Sequence, residues 1–416
     1  MVKNVLRGMS SKEFITQFLV LFLLFTCFQI SFISMGGLLN FLNRSYVERV
    51  MFYAAYYLSY AVVSISYSIL TTKNFKIYNP YLWMFFAIIS SLILLLFEIT
   101  EYTLCSFLYV LFAGSGLGLG LPYCLSYFAD HTEVKNRGRR GGIIFLLTSI
   151  VLPVFSIIYE SFNLKFFSIF SLFWTIGGLI LLSFFKPRKK EVEAEGRDIP
   201  FSYILTTREF YLYFVAWFIF SFIDNLEVSI LKPFIQETFG EAFKALMLNL
   251  STLVMAFSIG IVGFLIDLYG RRRTLIFGFT TLGIAYACIG INPYNIIFWY
   301  FYFLINGIAL GFFTVIFVLT IWGDISPKGL REKYYAVGSF PYFFMVFVSE
   351  IVAPYVATIP VTAAFSFASF FLFLAVIPLM YAPETLPEKI IRQRELKRYI
   401  EKAKKIREKY EKQKED

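Results

Sequence analysis

The sequence has little of the chemistry on which metalloenzymes and redox proteins depend. It contains one histidine, His131, and four cysteines, none of them in a CxxC pair. Each cysteine lies inside an apolar segment, which favours packing over a disulfide or a metal site; they are Cys27, Cys105, Cys124 and Cys288. A Walker loop is also lacking, which argues against ATP-driven pumping by this chain alone. We therefore expect neither a metal nor a cofactor.

Charge is scarce as well. Only 16 % of the residues are charged, whereas 58 % are hydrophobic and 20 % aromatic; a soluble domain is nearer a quarter charged and half apolar. The apolar runs are long and apolar on all faces, and about 18 such residues suffice to cross a bilayer as a helix. Strands of a membrane barrel would instead alternate over roughly ten residues. The sequence predicts an all-α polytopic membrane protein.

Twelve apolar runs are predicted to be transmembrane helices. Their approximate bounds are 14–36, 48–70, 80–98, 103–128, 142–160, 166–185, 209–231, 246–268, 273–291, 295–322, 335–357 and 361–381. The longest polar interruption before the C-terminal tail, Lys186–Pro200, divides them into two sets of six. We predict an N-terminal six-helix bundle over residues 1–185, a cytoplasmic linker over 186–208 and a C-terminal bundle over 209–383. Residues 384–416 are predicted to form a charged cytoplasmic helix, either solvated or lying on lipid headgroups.

The basic residues of the loops indicate the orientation. With a cytoplasmic amino terminus, 33 of the 38 Lys and Arg residues fall on the cytoplasmic side; the other five are Arg44, Arg49, Lys165, Lys232 and Lys244. This is the positive-inside pattern, which predicts a multi-pass protein of the cell membrane with both termini in the cytoplasm. Because the basic residues are spread over many loops, we expect the bilayer and no nucleic acid as a partner.

The short loop between the eighth and ninth spans carries a motif of glycine, aspartate and arginine. It is Gly263-Phe-Leu-Ile-Asp267-Leu-Tyr-Gly270-Arg271-Arg272-Arg273. The first glycine allows a neighbouring helix to approach, and the second permits a tight turn. The arginines can pair with Asp267 or with a neighbouring helix end. A positive-inside turn alone would not require this spacing, so we predict a cytoplasmic gate formed by Gly263, Asp267, Gly270, Arg271 and Arg272.

A second pattern occurs twice, at equivalent places in the two sets of spans. Asp130 closes the fourth span and Arg137 follows seven residues later; Asp324 closes the tenth span and Arg331 follows at the same distance. The repetition indicates an internal six-helix duplication. We assign these four residues to the same cytoplasmic gate.

These motifs together resemble the major facilitator superfamily, closest to its sugar-porter branch. Gly263–Arg273 is similar to the signature loop, Trp322–Arg331 to an acid-x-x-Pro-x-x-x-Arg element, and Pro383-Glu384-Thr385 to the ending after the last span. The resemblance implies two six-helix bundles that rock around a central site by alternating access. It implies a facilitative or secondary active transporter of a small polar organic solute, a sugar or an organic acid, that functions as a monomer.

The resemblance leaves some positions unmatched. The first-half loop Ser66–Lys76 lacks the glycine and the aspartate of the signature loop. The coupling aspartate of the first span falls on the neutral stretch Gln29–Ser31, and the arginine of the fourth span falls on apolar residues near Val110. Uniport therefore stays open beside proton symport.

Three carboxylates lie inside predicted spans. Ionisable groups there cost about 2.5–3.5 kcal/mol on insertion scales and are therefore candidates for function. Asp224 and Glu227 are three residues apart on one face of the seventh span, and Glu350 lies in the eleventh. We predict that these three couple transport to a cation or a proton; alternatively, they form a polar helix end, or Glu350 pairs with Lys232. The polar residues predicted to bind substrate are Gln29, Tyr123, Ser221, Asn225 and Asn306.

Two other function classes stay open. A membrane-embedded transferase would need a catalytic cluster near an interface, and His131 beside Asp130 is the only hint of one. A sensor without transport would be supported by a large signalling domain, but only the charged tail is available. We therefore predict a transporter and not an enzyme.

Overall fold

The computed structural model describes residues 11–42, 44–70, 73–100, 103–187 and 199–387, together with Leu396 and Ala403. These residues are almost entirely helical, and none of the described residues forms a strand. Most of the predicted tail and residues 188–198 of the predicted linker lie outside the described residues. Residues 201–206 of that linker form a short helix, Phe201–Thr206.

We number the long helices α1 to α12. Their bounds are α1 Ser11–Phe41, α2 Tyr46–Leu70, α3 Lys73–Thr100, α4 Thr103–Asp130, α5 Val134–Ser161, α6 Leu164–Phe185, α7 Arg208–Phe239, α8 Glu241–Tyr269, α9 Arg271–Ile291, α10 Ile296–Ile325, α11 Arg331–Val356 and α12 Val361–Tyr381. Helix α10 contains a π-helical segment, Thr314–Thr320, and α12 is interrupted at Ala375.

Eleven helices of the described part are long and apolar enough to cross a membrane. The exception is α3, whose described apolar stretch, Tyr81–Phe97, is shorter. The chain is therefore a multi-pass membrane protein, while the twelfth span stays a prediction.

Two helices extend well beyond the apolar runs. Helix α5 begins at Val134 rather than near residue 142, and α7 continues to Phe239 rather than ending near 231. The first turns of α5 are polar in sequence but contain buried Arg137 and Arg140. Apolarity therefore underestimated α5, because a buried ion pair satisfies the charge of Arg137, which a lipid-facing segment could not carry. The added turns of α7 contain exposed Lys232 and Glu237, polar residues that ended the apolar run.

The helix packing repeats after six helices. Helices α1 and α5, α1 and α6, α2 and α4, α3 and α4, and α3 and α6 pack together. Each of these pairs recurs with both numbers raised by six: α7 with α11, α7 with α12, α8 with α10, α9 with α10, and α9 with α12. Contacts between the two sets join α5 to α8 and α2 to α11. The packing thus carries the internal duplication that the repeated acid-to-arginine spacing indicated.

Tight junctions set successive helices antiparallel. Glycines in left-handed conformation join α7 to α8, where Gly240 has φ 91°, and α8 to α9, where Gly270 has φ 95°. Asparagine side chains begin α6 and α10: Asn163 accepts from Phe166 N and Asn295 from Ile297 N. Helices α4, α8 and α10 end on the same side of the molecule as that on which α5, α9 and α11 begin. We call this side of the molecule the arginine end.

Candidate functional site

Ion pairs join the two halves of the chain at the arginine end. Arg331 Nη1 donates to Asp130 Oδ1 over 2.6 Å, and Arg137 Nη1 donates to Asp324 Oδ1. The Arg137 and Asp324 side chains are fully buried, and those of Asp130 and Arg331 are 11 % and 13 % exposed. Each acid of the repeated pattern therefore bonds to the arginine of the other copy, so the two pairs are reciprocal.

Asp324 uses its second oxygen to reach the signature loop. Arg271 Nε donates to Asp324 Oδ2 over 3.0 Å, so one carboxylate lies between two buried guanidinium groups. The remaining Arg271 nitrogens donate to the carbonyl of Ile266 at 3.1 Å and to that of Val134 at 2.6 Å. Charge and hydrogen bonding are thus both satisfied away from water, as a buried ion pair requires.

Asp267 bonds α8 to the start of α5. Its carboxylate accepts from the backbone N–H of Gly138 at 3.1 Å and of Arg139 at 2.9 Å, and lies 3.2 Å from Arg271 Nη2. Arg139 Nε is a further donor, at 3.3 Å. Asp267 is fully buried. One side chain therefore fixes the α5–α8 contact and places Arg271.

Gly263 lies where α5 and α8 cross. A Cβ added at position 263 would be 2.5 Å from the carbonyl oxygen of Gly138 and 2.9 Å from the Cα of Gly142. Both neighbours are backbone atoms that cannot rotate away. The crossing is therefore a backbone-to-backbone contact that glycine alone permits. We call this crossing and the ion pairs of Asp130, Arg137, Asp267, Arg271, Asp324 and Arg331 the latch.

Glu384, which belongs to the Pro383-Glu384-Thr385 motif, supports the latch. It accepts from the backbone N–H of Arg271 at 2.8 Å and of Arg272 at 3.1 Å, where α9 begins. A Cβ on Gly270 would be 2.3 Å from Glu384 Oε2, which is why this turn has no side chain. Arg272 also donates to the carbonyl of Ala382. The carboxylate satisfies free N–H groups at the positive end of a helix.

A partly broken latch is energetically unfavourable. Removing one partner of a buried pair leaves an uncompensated charge, which typically costs 3–5 kcal/mol. Separating the halves breaks the two reciprocal pairs together, because each joins one half to the other. Water that reaches them would solvate the released charges and offset that cost. The two reciprocal pairs therefore form a seam between the halves, and both are made or lost together.

Asp224 lies far from the latch, near the middle of α7. It is half-buried and makes no hydrogen bond or ion pair with the described residues. Seven residues earlier, on the same helix face, Trp217 stacks on Tyr342 of α11 at 6.0 Å and 14°. Asp224 is also within electrostatic reach of Tyr342. This face of α7 therefore meets α11 through an aromatic pair and an unpaired carboxylate.

Glu227 is turned away from that face. It is 8 % exposed, and its Oε1 accepts from Tyr302 of α10 over 2.5 Å. Its Oε2 has no hydrogen-bond partner in the described part of the chain. Tyr286 of α9 stacks on Tyr302 at 5.3 Å and lies close to the same carboxyl. The structure thus places Glu227 among α7, α9 and α10.

Glu350 lies near the end of α11 opposite to the latch. It is half-buried and forms no ion pair with Lys232 or any other described residue, although Lys232 and Arg49 act on it electrostatically. In the other half of the chain, Tyr53 and Tyr57 of α2 are close enough for the Glu350 carboxyl to act on them electrostatically. Glu350 therefore lies beside the other half of the chain, without the structural pair that the sequence allowed.

The predicted substrate-binding residues do not form one group. Asn225 donates from Nδ2 to the carbonyl of Ser221 at 2.8 Å, next to Asp224. Asn306 is 7 % exposed on α10, and its Oδ1 has no described partner. Gln29 is half-buried on α1, beside the contact of Phe28 with Phe343 at 5.7 Å. The structure thus brings Ser221 and Asn225 to Asp224, with Gln29 on the facing half.

Tyr123 is the outlier of that set. It is 1 % exposed and stacks with Tyr127 at 6.3 Å, close to the arginine end. Beside it, the His131 ring lies 4.2 Å from that of Tyr127, with Nδ1 2.8 Å from the Tyr127 carbonyl. No group of three His, Cys, Asp or Glu residues within the described ranges could hold a metal ion.

Comparison with known proteins identifies proteins of similar sequence or fold. The sequence model of the Major Facilitator Superfamily matches residues 214–410. No curated protein sequence matches the chain. Solved structures of transporters match it over most of its length.

Three solved structures illustrate the likeness. The proton:xylose symporter XylE, bound to 6-bromo-6-deoxy-D-glucose, has a TM-score of 0.71 and 14 % identity, covering 90 % of this chain and 97 % of that one. A bacterial homologue of the iron transporter ferroportin, in the outward-facing state, has a TM-score of 0.69 and 15 % identity, covering 88 % and 97 %. The human organic anion transporter MFSD10 has a TM-score of 0.63 and 14 % identity, covering 88 % and 99 %.

The TM-scores establish a shared fold. The low identities leave the transported solute open, since the three proteins differ in what they carry. The matches indicate a transporter rather than an enzyme. The chain has the fold of Major Facilitator Superfamily transporters, and its second half matches the sequence model of that superfamily.

Proposed function

We propose that this protein is a major facilitator transporter that carries a small polar organic solute across the cell membrane by alternating access. The reciprocal ion pairs of the latch support this proposal most strongly. They join equivalent loops of the two halves and are largely removed from water. Among the described residues, such pairs between the halves lie at the arginine end alone, as a gate closed on that side requires.

In the proposed cycle, residues 1–185 and 209–383 act as two six-helix bundles, with α3 as the twelfth span. The arginine end faces the cytoplasm, and both termini lie on that side. A bound solute favours the state in which it has more contacts, and so shifts the population between latched and unlatched forms. Moving the ratio from 1:99 to 99:1 takes about 5.5 kcal/mol of differential binding.

We further propose that carboxylates couple this cycle to a proton. Asp224, Glu227 and Glu350 are the buried or half-buried acidic residues of α7 and α11 that lie away from the latch and have no described basic residue within ion-pair distance. Such groups exchange protons with water when the surrounding cavity opens. The protein functions as a monomer in this scheme, because the gate closes within one chain.

Uptake into proteoliposomes tests the proposal. We expect the purified protein to transport at least one solute from a labelled panel of sugars, organic acids and organic amines, faster with an inward acid gradient. Asp130→Arg and Arg331→Asp should each lose at least about tenfold in rate, since like charges then face each other. The double variant D130R/R331D should regain part of the loss, because opposite charges again face each other.

The outcomes separate the parts of the proposal. Absence of uptake by folded protein for every solute class would contradict transport. Equal rates with and without the gradient would contradict proton coupling and leave a facilitator. A double variant no better than the single variants, at wild-type folding, would contradict the role of the latch.

A further inference from the structure

The charges in the middle of the membrane helices have one sign. Every Lys and Arg of the described helices lies within about two turns of a helix end. Asp224 and Glu227 occupy the middle of α7, and the nearest basic residue of that helix, Lys232, is exposed near its far end. The middle of the described membrane helices is therefore acidic, and no arginine or lysine lies there to balance it.

Aromatic rings lie along the face of α7 that carries Asp224, and one of them, Tyr342, is within electrostatic reach of its carboxylate. Trp217 stacks on Tyr342 at 6.0 Å and on Phe317 at 4.8 Å. From the other half, Tyr57 approaches Phe343, the residue after Tyr342, at 6.3 Å. This is an aromatic wall that spans the seam between the halves, with a carboxylate beside it.

Unpartnered polar atoms mark the same region of α7. Ser221 Oγ and Trp217 Nε1 have no hydrogen-bond partner in the described part of the chain. Both residues are at least nine-tenths buried: Trp217 is 4 % exposed and Ser221 0 %. Buried polar groups are normally satisfied, so these atoms point to a ligand that completes them.

The charge pattern selects among solute classes. An organic anion would enter an acidic interior without a basic side chain to receive it. A neutral sugar would bring no positive charge to pair with the Asp224 carboxylate. We propose that the transported solute is an organic cation, a protonated amine or a quaternary ammonium, with Asp224 as its counter-ion. Trp217 and Tyr342 hold it through cation–π contacts. This inference rests on the proposed function and names the class of its substrate.

The aromatic wall distinguishes an organic cation from a metal ion. A transported metal needs several oxygen, nitrogen or sulfur ligands at short range, and the described residues offer no group of three. Aromatic faces instead attract a large, weakly hydrated cation.

A pocket at the opposite end of α7 has the same character. It has a volume of about 330 Å³ and is lined by residues of α7, of the α9–α10 turn and of the α11–α12 turn. Phe234 and Tyr294 form part of its wall, with ring centroids 5.7 Å apart, and Glu237 is its charged lining residue. The pocket thus combines a carboxylate with aromatic rings, as the Asp224 face of α7 does.

Binding to the purified protein in lipid nanodiscs tests the inference without transport. The probes are choline and tetraethylammonium, with 3,3-dimethyl-1-butanol as the uncharged isostere of choline. We expect saturable binding of at least one cation and none of the isostere. Asp224→Asn should weaken cation binding by about thirty-fold or more, the loss for one member of a buried charge pair. Glu209→Gln, an exposed carboxylate of the same helix, should leave binding unchanged.

A second variant guards against misfolding of the first. Tyr342→Leu should weaken cation binding several-fold, whereas Tyr342→Phe, which keeps the ring, should retain it. Equal binding by wild type and both D224N and Y342L would overturn the inference, as would binding of the isostere as tightly as choline.

Uptake measurements separate this inference from the proposed function. Uptake of a sugar or an organic acid with no binding or uptake of the cations would overturn the cation class and leave the transporter standing. Cation binding that D224N abolishes would support the site even in a protein without measurable uptake, and that result would count against transport alone.

Discussion

Replacing Gly263 by alanine should open the latch. The new methyl would be 2.5 Å from the carbonyl oxygen of Gly138 and 2.9 Å from the Cα of Gly142. Non-bonded carbon atoms are at their best separation at about 3.5–4.0 Å, so α5 and α8 must move apart. Neither neighbour has a side chain that could turn aside. The shift is therefore transmitted to the backbone N–H groups of Gly138 and Arg139, which bond to Asp267 one turn away.

The size of the effect follows from the packing. Inserting a methyl into a tight contact typically costs 1–3 kcal/mol. Alanine gains up to about 1 kcal/mol of helix propensity over glycine, but this gain is the same in the latched and the unlatched form. The whole packing cost therefore falls on the latched form. A cost of 1–3 kcal/mol corresponds to about a 5- to 150-fold shift towards the unlatched form.

A buried cysteine in the latch region measures that shift. Ser326 follows Asp324 in the α10–α11 turn, is 8 % exposed, and bonds through its hydroxyl only to the carbonyl of Gly323. In a background without the four native cysteines, S326C should react slowly with a water-soluble maleimide. G263A should raise the rate by the same 5- to 150-fold, since only the unlatched form exposes the thiol.

Gly177→Ala is the matched control, because a Cβ at Gly177 meets nothing within 4 Å. It should leave the labelling rate unchanged. The reasoning would be refuted by G263A labelling at the wild-type rate, or by G177A accelerating labelling as much as G263A.

Two further substitutions test local contacts. Tyr302→Phe should lower the free energy of unfolding by about 1–3 kcal/mol, because Glu227 loses its hydrogen-bond donor while buried; denaturation in detergent measures this, and exposed Tyr300→Phe should change little. Gly270→Ala should lower the midpoint temperature of unfolding more than Gly240→Ala. Both have positive φ, but only the methyl at position 270 collides with Glu384. Equal losses at the two glycines would show that the carboxylate does not matter.

The sequence predicted the parts of the latch but not their pairing. Spacing alone identified Asp130, Arg137, Asp324 and Arg331, because an acid and an arginine separated by seven residues occur twice. The local sequence around each acid does not indicate that it bonds to the arginine of the other copy. That is a property of how the halves meet, and chain spacing carries no information about it.

For the site in α7, too, the sequence predicted the residues but not their neighbours. Helical periodicity places Asp224 and Glu227 close together on one surface, but a difference of about 60° in direction decides which neighbour each one meets. Asp224 makes no hydrogen bond with the described residues, whereas Glu227 bonds to Tyr302. The tyrosine gave no signal, since it is one of 28 in a chain rich in aromatic residues.

The start of α5 was missed for a related reason. The segment that contains Arg137 and Arg140 is too polar to be placed in a membrane helix by composition. Its charges are buried by partners that are more than a hundred residues away in sequence. Composition measures a segment's preference for lipid or water, and cannot register a preference for another part of the same protein.

The reciprocal bonding of the latch has the form of an isologous interface, in which residue i of one subunit contacts j of the other and j contacts i. Two identical six-helix chains, each with one Asp and one Arg at these positions, would make both pairs by two-fold symmetry. The α5–α8 and α2–α11 contacts exchange under the same operation. The seam of this single chain is thus built like a dimer interface, and its register is set by the surfaces that meet there rather than by the covalent connection between the halves.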